Sequence, residues 1–391
     1  MKANYSISSN VSSIRQQRLG ERIRHTLLCL AALPLLASSA SFACSYVEVE
    51  AKDGTKVVGR SIEWGFPMEY TFGVVPRGQT FTASYPADKV SKDYKALTWV
   101  SKYAYAGVGV TVQAGLDSAQ NEAGLNMEGL NLPGFTEFQQ VTPDSKSVLA
   151  LSDLGDWLMG NFATVQEVKE ALPKCTVWTP AVSSEGSATI HLAITDRKGA
   201  GIVVEYVKGQ LNIHDNVTHT MANSPPYDWH LTNLRNYMTL TNRDLISVGQ
   251  GGLALHQLST GDGMTGLPGD FKSVSRFLKL TLMRAYAAPV DTAAEAYSLA
   301  GHIINTVDIP RGSVNSGEFE GKPMLETAQV TLVKDLSNNK LFVSDYAHRL
   351  NYLLVDLNKF FAANKKVGPV LFSKFMEQPP IDVTDQIMQA R

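Results

Sequence analysis

Cys44 is the strongest candidate for a reactive residue in this sequence, because two independent features coincide there. It follows a segment typical of an export leader, so cleavage of that leader would make it the first residue of the mature chain. A thiol beside its own free α-amine has a general base at hand, since the reference pKa of that amine is about 7.7–8.0. Cysteine is also intrinsically very nucleophilic, and an adjacent base activates it further. The sequence therefore predicts a hydrolase whose nucleophile is the N-terminal residue.

Residues 1–43 have the three parts of a secretory signal peptide. A basic region, residues 15–25, precedes an apolar stretch from Leu27 to Leu36, which is too short to span a bilayer. Ser41 and Ala43 then place small residues at the positions that a signal peptidase usually requires. We therefore expect cleavage after Ala43.

Cleavage at this point would leave residues 44–391, which we expect to form a single catalytic domain in the periplasm or outside the cell. A lipoprotein with an acylated Cys44 is the alternative, although that motif normally has leucine three residues before the cysteine, where Ser41 stands. No stretch after residue 44 is apolar and long enough for a membrane helix, so we expect no stable membrane span.

The composition is that of an ordinary globular protein. The 391 residues are 44% hydrophobic and 18% charged, with a formal net charge of −2. This balance does not favour binding to nucleic acid or to an anionic membrane surface. Cys29 lies in the leader, so the mature chain keeps Cys44 and Cys175, and a disulfide between them would exclude a catalytic thiol. The sequence contains no cluster with metal-ligand spacing, and the predicted chemistry requires no cofactor.

Two strands joined by a tight turn follow Cys44 and would bring charged side chains back to it. Alternating polar and apolar residues predict a half-buried strand from Tyr46 to Ala51, and Asp53-Gly54 is a strong turn signal. The returning strand carries Arg60 and leads to Glu63, so either side chain could lie beside the nucleophile. A solvated ion pair at a strand end is the alternative interpretation.

Four further polar residues lie at the ends of predicted elements. Asn131 and Asn223 each end a strand, where a side-chain amide could donate to an oxyanion, although asparagine is also a common turn residue. His230 is a candidate base for a cysteine–histidine hydrolase, but a lone histidine beside a tryptophan is more often packed or capping. Arg276 occupies the first turn of a predicted helix, where a cation opposes the helix dipole, which indicates another reason for its presence.

The remaining patterns predict a mixture of helices and strands. Helical periodicity runs in two pieces from Lys146 to Leu172, and a capping box of Thr164 and Glu167 opens the second piece. The other predicted elements are strands at 72–75 and 104–112, a three-stranded meander at 191–196, 201–206 and 210–214, helices at 274–288 and 291–307, and a hairpin of 328–332 with 340–346.

Five sets of residues form an ordered pattern along the mature chain. They are Cys44, then Gly59-Arg60-Ser-Ile-Glu63-Trp64, then Asn121-Glu-Ala-Gly-Leu with Gly129-Leu-Asn131, then Asn223-Ser-Pro with Asp228-Trp-His230, and finally Gly266-Leu-Pro-Gly-Asp270-Phe with Ser275-Arg276-Phe. Together they resemble the choloylglycine hydrolase family, which comprises bile salt hydrolases and penicillin V acylases. Each set is weak alone, but the ordered series is specific and covers most of the mature chain.

The resemblance implies an α+β fold, a four-layer αββα sandwich of the N-terminal-nucleophile hydrolase type, with the cysteine at the start of a central strand. It implies that Cys44 is the nucleophile and that Arg60 lies near the thiol. It links Asn131 and Asn223 to the oxyanion hole and makes Arg276 the last polar member of the site.

Glu63 departs from the family pattern, in which aspartate is more frequent. Its extra methylene would change how the mature amine is held. Enzymes of the family are often homotetramers, so the resemblance also implies that this chain forms a homotetramer.

The implied reaction is hydrolysis of a linear amide C–N bond in a small-molecule N-acyl substrate, through an acyl-thioester. The substrate would be a conjugated bile salt or a penicillin V type amide. An N-acyl-homoserine-lactone acylase of the same fold is an alternative, as is a secreted binding protein without catalytic activity. Five side chains could line an acyl pocket or could belong to the core: Trp64, Phe66, Met68, Phe135 and Phe138.

Overall fold

Two antiparallel sheets form the centre of the molecule. The computed structural model describes residues 43–110, 116–180, 189–244, 247–377 and 383–389. Within these ranges the strands are β1 (Cys44–Glu50), β2 (Lys56–Trp64), β3 (Tyr70–Val75), β4 (Thr80–Thr82), β5 (Thr98–Val100), β6 (Tyr105–Val110), β7 (Ser118–Asn121), β8 (Asn126–Asn131), β9 (Val148–Ala150), β10 (Thr176–Trp178), β11 (Ile190–Thr195), β12 (Gly201–Val207), β13 (Gln210–Asp215), β14 (Thr220–Met221), β15 (Ser247–Gln250), β16 (Leu253–His256), β17 (Asn315–Phe319), β18 (Lys322–Leu325), β19 (Thr327–Asp335), β20 (Lys340–Asp345), β21 (Leu353–Asp356) and β22 (Val367–Leu371).

The helices of the same ranges flank these sheets. They are α1 (Leu151–Asn161), α2 (Val165–Ala171), α3 (Tyr227–Leu234), α4 (Ser273–Tyr286), α5 (Ala293–Asn305), α6 (Leu357–Ala363), α7 (Ser373–Met376) and α8 (Thr384–Gln389). No helix of the described ranges is long and apolar enough to cross a membrane. The predicted leader, up to residue 42, lies outside the described residues, as does the end of the strand predicted for 104–112.

The first sheet has six strands in the order β14-β1-β2-β19-β20-β21 and places the predicted nucleophile near its centre. Strands β1 and β2 form the predicted hairpin, in which Cys44 pairs with Ile62 and Tyr46 with Arg60. The second sheet has eight strands in the order β13-β12-β11-β8-β7-β6-β3-β22 and contains the predicted meander as β11, β12 and β13.

Alternation along the strands explains how the layers stack, because successive side chains point to opposite faces of a sheet. Val47 and Val49 pack with Ala300 of α5 in one apolar cluster. Tyr46, on the opposite face of β1, instead packs with Leu130 of β8 between the two sheets. The far face of the second sheet is covered by α1 and α2 in a third cluster. These clusters confirm the predicted αββα sandwich.

One glycine permits the close contact between the first sheet and its helix. A Cβ atom at Gly59 of β2 would lie 3.3 Å from the Ala300 carbonyl oxygen and 3.1 Å from a Val47 methyl group. The absent side chain therefore lets α5 approach the strand that carries the predicted arginine.

Local signals predicted four of the eight helices of the described ranges, namely α1, α2, α4 and α5. The capping box of Thr164 and Glu167 is present at the start of α2, as predicted. The helical periodicity predicted from residue 146 onward is wrong at its beginning, however. Residues 148–150 form β9, which pairs in parallel with β10, so the helix starts only at Leu151. A long-range strand pairing has overridden the local helical pattern there.

Candidate active site

Cys44 is the first residue of a central strand, with its side chain between the two sheets. It is 3% exposed and packs in the cluster that contains Tyr46 and Leu130. Both Cys44 and Cys175 are buried free thiols, so the alternative of a disulfide between them is wrong. The thiol is therefore available for chemistry.

Arg60 lies directly beside the thiol. It is 1% exposed, and its Nη2 donates to the Cys44 sulfur at 3.2 Å and to the Gly129 carbonyl at 2.6 Å. The alternative interpretation of Arg60 as half of a solvated ion pair is wrong, because the hairpin register turns its side chain inward between the sheets. A buried cation at this distance favours the thiolate over the thiol.

A buried carboxylate and a second cation stand behind Arg60. Glu128 of β8 lies 3.6 Å from the Arg60 Nε and also contacts the ammonium of Lys334 on β19. The Lys334 Nζ donates in addition to the Ser118 hydroxyl at 2.8 Å. Neither residue was predicted from the sequence. Their signal was a charged side chain at an inward-facing position in each of two otherwise buried strands.

Removing the lysine from this group is expected to be costly. Lys334→Met leaves Glu128 with only the more distant Arg60, and breaking a buried ion pair costs about 3–5 kcal/mol of unfolding free energy. Urea unfolding at neutral pH measures this loss. The matched control is Lys340→Met on the neighbouring strand. A loss of less than about 1 kcal/mol, the level of surface pairs, would contradict the assigned role.

The thiol itself is not ionised by these surroundings. Burial raises the pKa of Cys44, and the nearby Arg60 opposes that rise without cancelling it. The carboxylates of Glu63 and Asp117 raise the pKa further. Because the resting thiol is protonated near neutral pH, its attack on a carbonyl requires a base.

Glu63 is a buried carboxyl group that forms no ion pair with any of the described residues. It is 0% exposed, and neither carboxylate oxygen makes a well-formed hydrogen bond within the described ranges. Burial raises its pKa to about 7, against the opposing effects of Arg276 and of the neighbouring Ser61 hydroxyl. An isolated carboxylate is costly to bury, so the site is suited to a further cation beside Glu63.

The Asn223 side chain makes three hydrogen bonds at the site and keeps one donor hydrogen. Its Oδ1 accepts from the Cys44 main-chain N–H at 2.6 Å and from Arg276 Nη2 at 2.7 Å, while its Nδ2 donates to the Asn131 carbonyl at 2.8 Å. The second hydrogen of Nδ2 has no assigned acceptor among the described residues, so donation from this side-chain amide to an oxyanion stays a prediction.

Asn131 supplies a second unused donor. Its Oδ1 accepts from the Thr189 hydroxyl at 3.1 Å, which turns the Nδ2 group the other way. Within the described part of the chain no acceptor is assigned to that Nδ2. The link from Asn223 Nδ2 to the Asn131 carbonyl places the two asparagines side by side at the ends of β8 and β14.

Arg276 holds the main chain at the nucleophile through hydrogen bonds. Its Nη1 donates to the Cys44 carbonyl at 2.5 Å and to the Ser45 hydroxyl at 2.7 Å, and its Nε donates to the Phe271 carbonyl at 3.0 Å. These bonds explain why a cation is tolerated near the start of α4, where it opposes the helix dipole.

His230 has a packing role. Its ring stacks on Phe277 with centroids 4.3 Å apart, and its Nε2 donates to the Asn223 carbonyl at 2.9 Å. Burial lowers its pKa to about 4, so the ring is neutral. His230 makes no described contact with Cys44, so the interpretation of it as the base of a cysteine–histidine pair is not supported by this geometry.

The five apolar residues predicted for an acyl pocket separate into two groups. Trp64 and Phe66 form an edge-to-face pair, and Phe66 stacks on Phe319 at 5.3 Å. Met68 packs at the edge of a separate cluster that contains Ile62 and Tyr70, and Phe135 is exposed. Phe138, in contrast, lies in the core beneath α1 and α2.

A cavity of about 150 Å³ adjoins the nucleophile. Its lining includes Ala43, Asn223, Phe271 and Arg276. Ala43 is also tied to the second strand, because its carbonyl accepts from the Glu63 N–H at 3.0 Å. The residue before the predicted cleavage point thus forms part of the wall of this cavity. No group of histidine, cysteine or acidic residues in the described ranges could hold a metal ion.

Comparison with known proteins identifies one family and several relatives within it. Residues 44–356 match the family described as linear amide C–N hydrolases, choloylglycine hydrolase family. A bile salt hydrolase/transferase from Clostridium perfringens is 31% identical over 296 residues, or 75% of this chain and 87% of that protein. A penicillin V acylase from Pectobacterium atrosepticum is 30% identical over 225 residues, or 54% of this chain and 57% of that protein.

A solved structure shares the fold. The crystal structure of a variant of conjugated bile acid hydrolase from Clostridium perfringens superposes with a TM-score of 0.73 at 26% identity. The superposition covers 87% of this chain and the whole of that chain. The similarity thus extends over nearly all of the structure described above.

Proposed function

This chain belongs to the choloylglycine hydrolase family of linear amide C–N hydrolases, and from that premise we propose that Cys44 is the nucleophile and becomes the N-terminal residue of an exported enzyme. The observation that carries the proposal is the 3.2 Å contact between the Cys44 sulfur and a buried arginine. The family match also begins at residue 44, which agrees with removal of the leader before this residue.

The α-amine released at Cys44 is the base in this proposal. Burial keeps the thiol protonated, and a free α-amine with a pKa near about 8 can accept that proton. Asn223 Oδ1, which lies 2.6 Å from the Cys44 nitrogen, would orient the amine. Once protonated, the amine supplies the cation that the buried Glu63 carboxylate lacks.

The thiolate then attacks the amide carbonyl of the substrate. Negative charge develops on the carbonyl oxygen, and the Asn131 Nδ2 and the remaining hydrogen of the Asn223 Nδ2 are the donors that we assign to it. One donor of this kind is worth about 3 kcal/mol of transition-state stabilisation. The protonated amine returns its proton to the leaving nitrogen, and water hydrolyses the thioester.

We propose a conjugated bile salt as the substrate class. Bile salt hydrolase/transferases from Clostridium perfringens and Bifidobacterium longum match this chain over 296 and 281 residues, whereas the penicillin V acylase matches over 225. Removal of Ala43 would enlarge the cavity beside the nucleophile, and Trp64 and Phe66 provide apolar surface for an acyl group. The comparisons favour these amides over homoserine lactones and over a binding protein without activity.

A substrate panel tests this assignment. Glycine- and taurine-conjugated bile salts, penicillin V and an N-acyl-homoserine lactone are each incubated with the processed protein, and amine release is measured. We expect the bile salt conjugates to be cleaved fastest. Faster cleavage of penicillin V, the second candidate, which the Pectobacterium relative supports, would overturn the substrate class and leave the nucleophile assignment intact.

The raised pKa of Glu63 predicts that the stability of the unprocessed chain depends on pH more strongly than that of the processed chain. In a chain that retains Ala43, Glu63 binds a proton up to about pH 7, whereas in the unfolded chain it loses that proton near its ordinary pKa of 4.5. Stability therefore falls as pH rises through this window, by at most about 3 kcal/mol from Glu63. Asp117, whose pKa burial raises to about 6, adds a loss of the same sign.

Urea unfolding across this pH range measures the effect. Glu63→Gln should reduce the pH dependence of the chain that retains Ala43. In the processed wild type the dependence should also be weaker, because the α-ammonium pairs with Glu63. Identical pH profiles for the wild type and the glutamine variant would show that Glu63 is not the titrating group.

A further inference from the structure

Arg60 is held against the thiol by one strand of the facing sheet. Its Nη2 contacts the Cys44 sulfur at 3.2 Å and donates to the Gly129 carbonyl at 2.6 Å, while its Nε lies 3.6 Å from Glu128 Oε2. Gly129 and Glu128 are neighbours on β8, so the same short segment contacts two nitrogens of the guanidinium group. The position of Arg60 relative to the sulfur therefore depends on Glu128.

Lys334 is the second cation of this buried group. Strand β19 lies beside β2 and pairs Leu332 with Arg60, so Lys334, two residues further on, points to the same face of the sheet. Its ammonium contacts Glu128 Oε1 and donates to the Ser118 hydroxyl at 2.8 Å. Glu128 and Lys334 are 0% and 2% exposed, so solvent ions screen their charges very little.

Stability alone does not explain why the chain retains this pair. Burying two opposite charges costs about as much free energy as their attraction returns, and replacing both partners by neutral residues is often close to neutral for stability. The reaction proposed above uses neither Glu128 nor Lys334. Glu128, however, contacts Arg60, and Lys334 contacts Glu128, so the pair adjoins the cation at the sulfur.

The two members of the pair act on Arg60 in opposite directions. A carboxylate beside Arg60 attracts the guanidinium away from the sulfur and offsets the positive charge that favours the thiolate. An ammonium on the other oxygen of the same carboxylate reduces that attraction. With Lys334 in place, its charge balances that of Glu128, and the charge of Arg60 remains for the thiol.

We propose that Glu128 and Lys334 are positioning residues, which together determine how strongly Arg60 favours the Cys44 thiolate. The inference deepens the proposed function and rests on its assignment of Cys44 as the nucleophile. It gives the pair an effect on the reactivity of the thiol that a purely structural pair would not have.

Other charged and titratable groups also face the thiol, from both sheets and from α4. They are Arg60 and Glu63 of β2, Tyr70 of β3, Asp117 ahead of β7, Arg276 of α4 and, in the processed chain, the α-amine of Cys44 itself. Each experimental comparison below leaves these groups the same in the two proteins compared. A difference between the two therefore reports the charge that was replaced.

The pH dependence of Cys44 alkylation measures the effect. Iodoacetamide reacts with the thiolate, so the midpoint of the rate against pH reports how readily the thiol ionises. Every protein compared also carries Cys175→Ala, which leaves Cys44 as the one thiol of residues 44–391. We expect the midpoint to rise by about 1 pH unit in Lys334→Met and to fall by about 1 pH unit in Glu128→Gln, the lower end of the shift that a nearby charge produces.

Two further comparisons separate this role from general effects of charge. In an Arg60→Gln background, Glu128→Gln should lower the midpoint much less, because there is no guanidinium left to release. Lys340→Met removes a cation of β20 that makes no described contact with Arg60 or Glu128, and it should leave the midpoint unchanged. Urea unfolding verifies that each variant is folded over the pH range compared.

The double variant Lys334→Met/Glu128→Gln tests the inference even where a single variant does not fold, because it leaves neither charge of the pair unpaired. Its midpoint should lie near that of the parent protein, and a difference of about 1 pH unit or more would overturn the inference. Unchanged midpoints in both single variants, shifts of the same sign, or an equal effect of Glu128→Gln with and without Arg60 would overturn it as well.

Alkylation also separates this inference from the proposed function, because it requires no amide cleavage. A parent protein that hydrolyses no amide would contradict the proposed function, whereas the alkylation profiles would still decide the role of Glu128 and Lys334. Conversely, an active enzyme whose alkylation midpoint is the same in all variants would overturn the inference and leave the proposed function intact.

Discussion

Replacement of Cys44 by alanine is expected to abolish amide hydrolysis, with a loss in kcat of at least about 10⁴-fold, as for other enzymes that lose their nucleophile. No other described side chain can replace the thiol at this point. The titratable groups around it are the cations Arg60 and Arg276 and the carboxyl groups of Glu63 and Asp117. Hydrolysis of the preferred substrate by the purified processed protein measures the loss.

Cys175 provides the matched control for this experiment. It is also a buried free thiol, and its apolar surroundings raise its pKa to about 11. Cys175→Ala should therefore keep full activity. Cys44→Ser should fold but turn over slowly, because a hydroxyl is a weaker nucleophile than a thiol. Hydrolysis near the wild-type rate in Cys44→Ala would contradict the assignment of Cys44 as the nucleophile.

A chain that still carries Ala43 in front of the nucleophile is expected to be inactive, with a loss of about 10²–10⁴-fold, the usual contribution of a general base. In this chain the nitrogen of Cys44 is part of an amide and cannot accept a proton. Ala43 also adjoins the cavity beside the nucleophile. Both effects lower the rate, the first by removing the base and the second by hindering access.

Two proteins that differ only at the N-terminus test this prediction. One begins at Cys44, released by a protease that leaves no extra residue, and the other begins at Ala43. Their intact masses are verified before the assay. Urea unfolding curves of the two proteins measure separately whether they differ in the free energy of unfolding. Normal turnover with Ala43 verified in place would rule out the α-amine as the base.

The parts of the fold that could be predicted from sequence are those fixed by nearby residues. The turn at Asp53-Gly54 determines the register of the first hairpin, and this register alone carries Arg60 to the face of Cys44. The capping box at Thr164 was equally predictable, because its partners are three residues apart. The prediction failed at residues 148–150, where the partner strand lies more than twenty residues away.

The polar supports of the site could not be predicted in the same way. Glu128 and Lys334 meet only because β8 and β19 belong to different sheets that face each other. Similarly, the role of Asn223 depends on Arg276, which is 53 residues further along the chain. What the sequence does contain is the signal of a charged residue within an apolar strand, and Arg60, Glu128 and Lys334 each have a buried partner in the structure.

The most direct test of the account is the intact mass of the exported protein, determined on the same sample that is assayed for hydrolysis of conjugated bile salts. We predict a mature chain that begins at an unmodified Cys44 and cleaves these amides. An active protein that begins at any other residue, or that carries an acyl group on Cys44, would contradict the central claim that the released α-amine of Cys44 activates its own thiol.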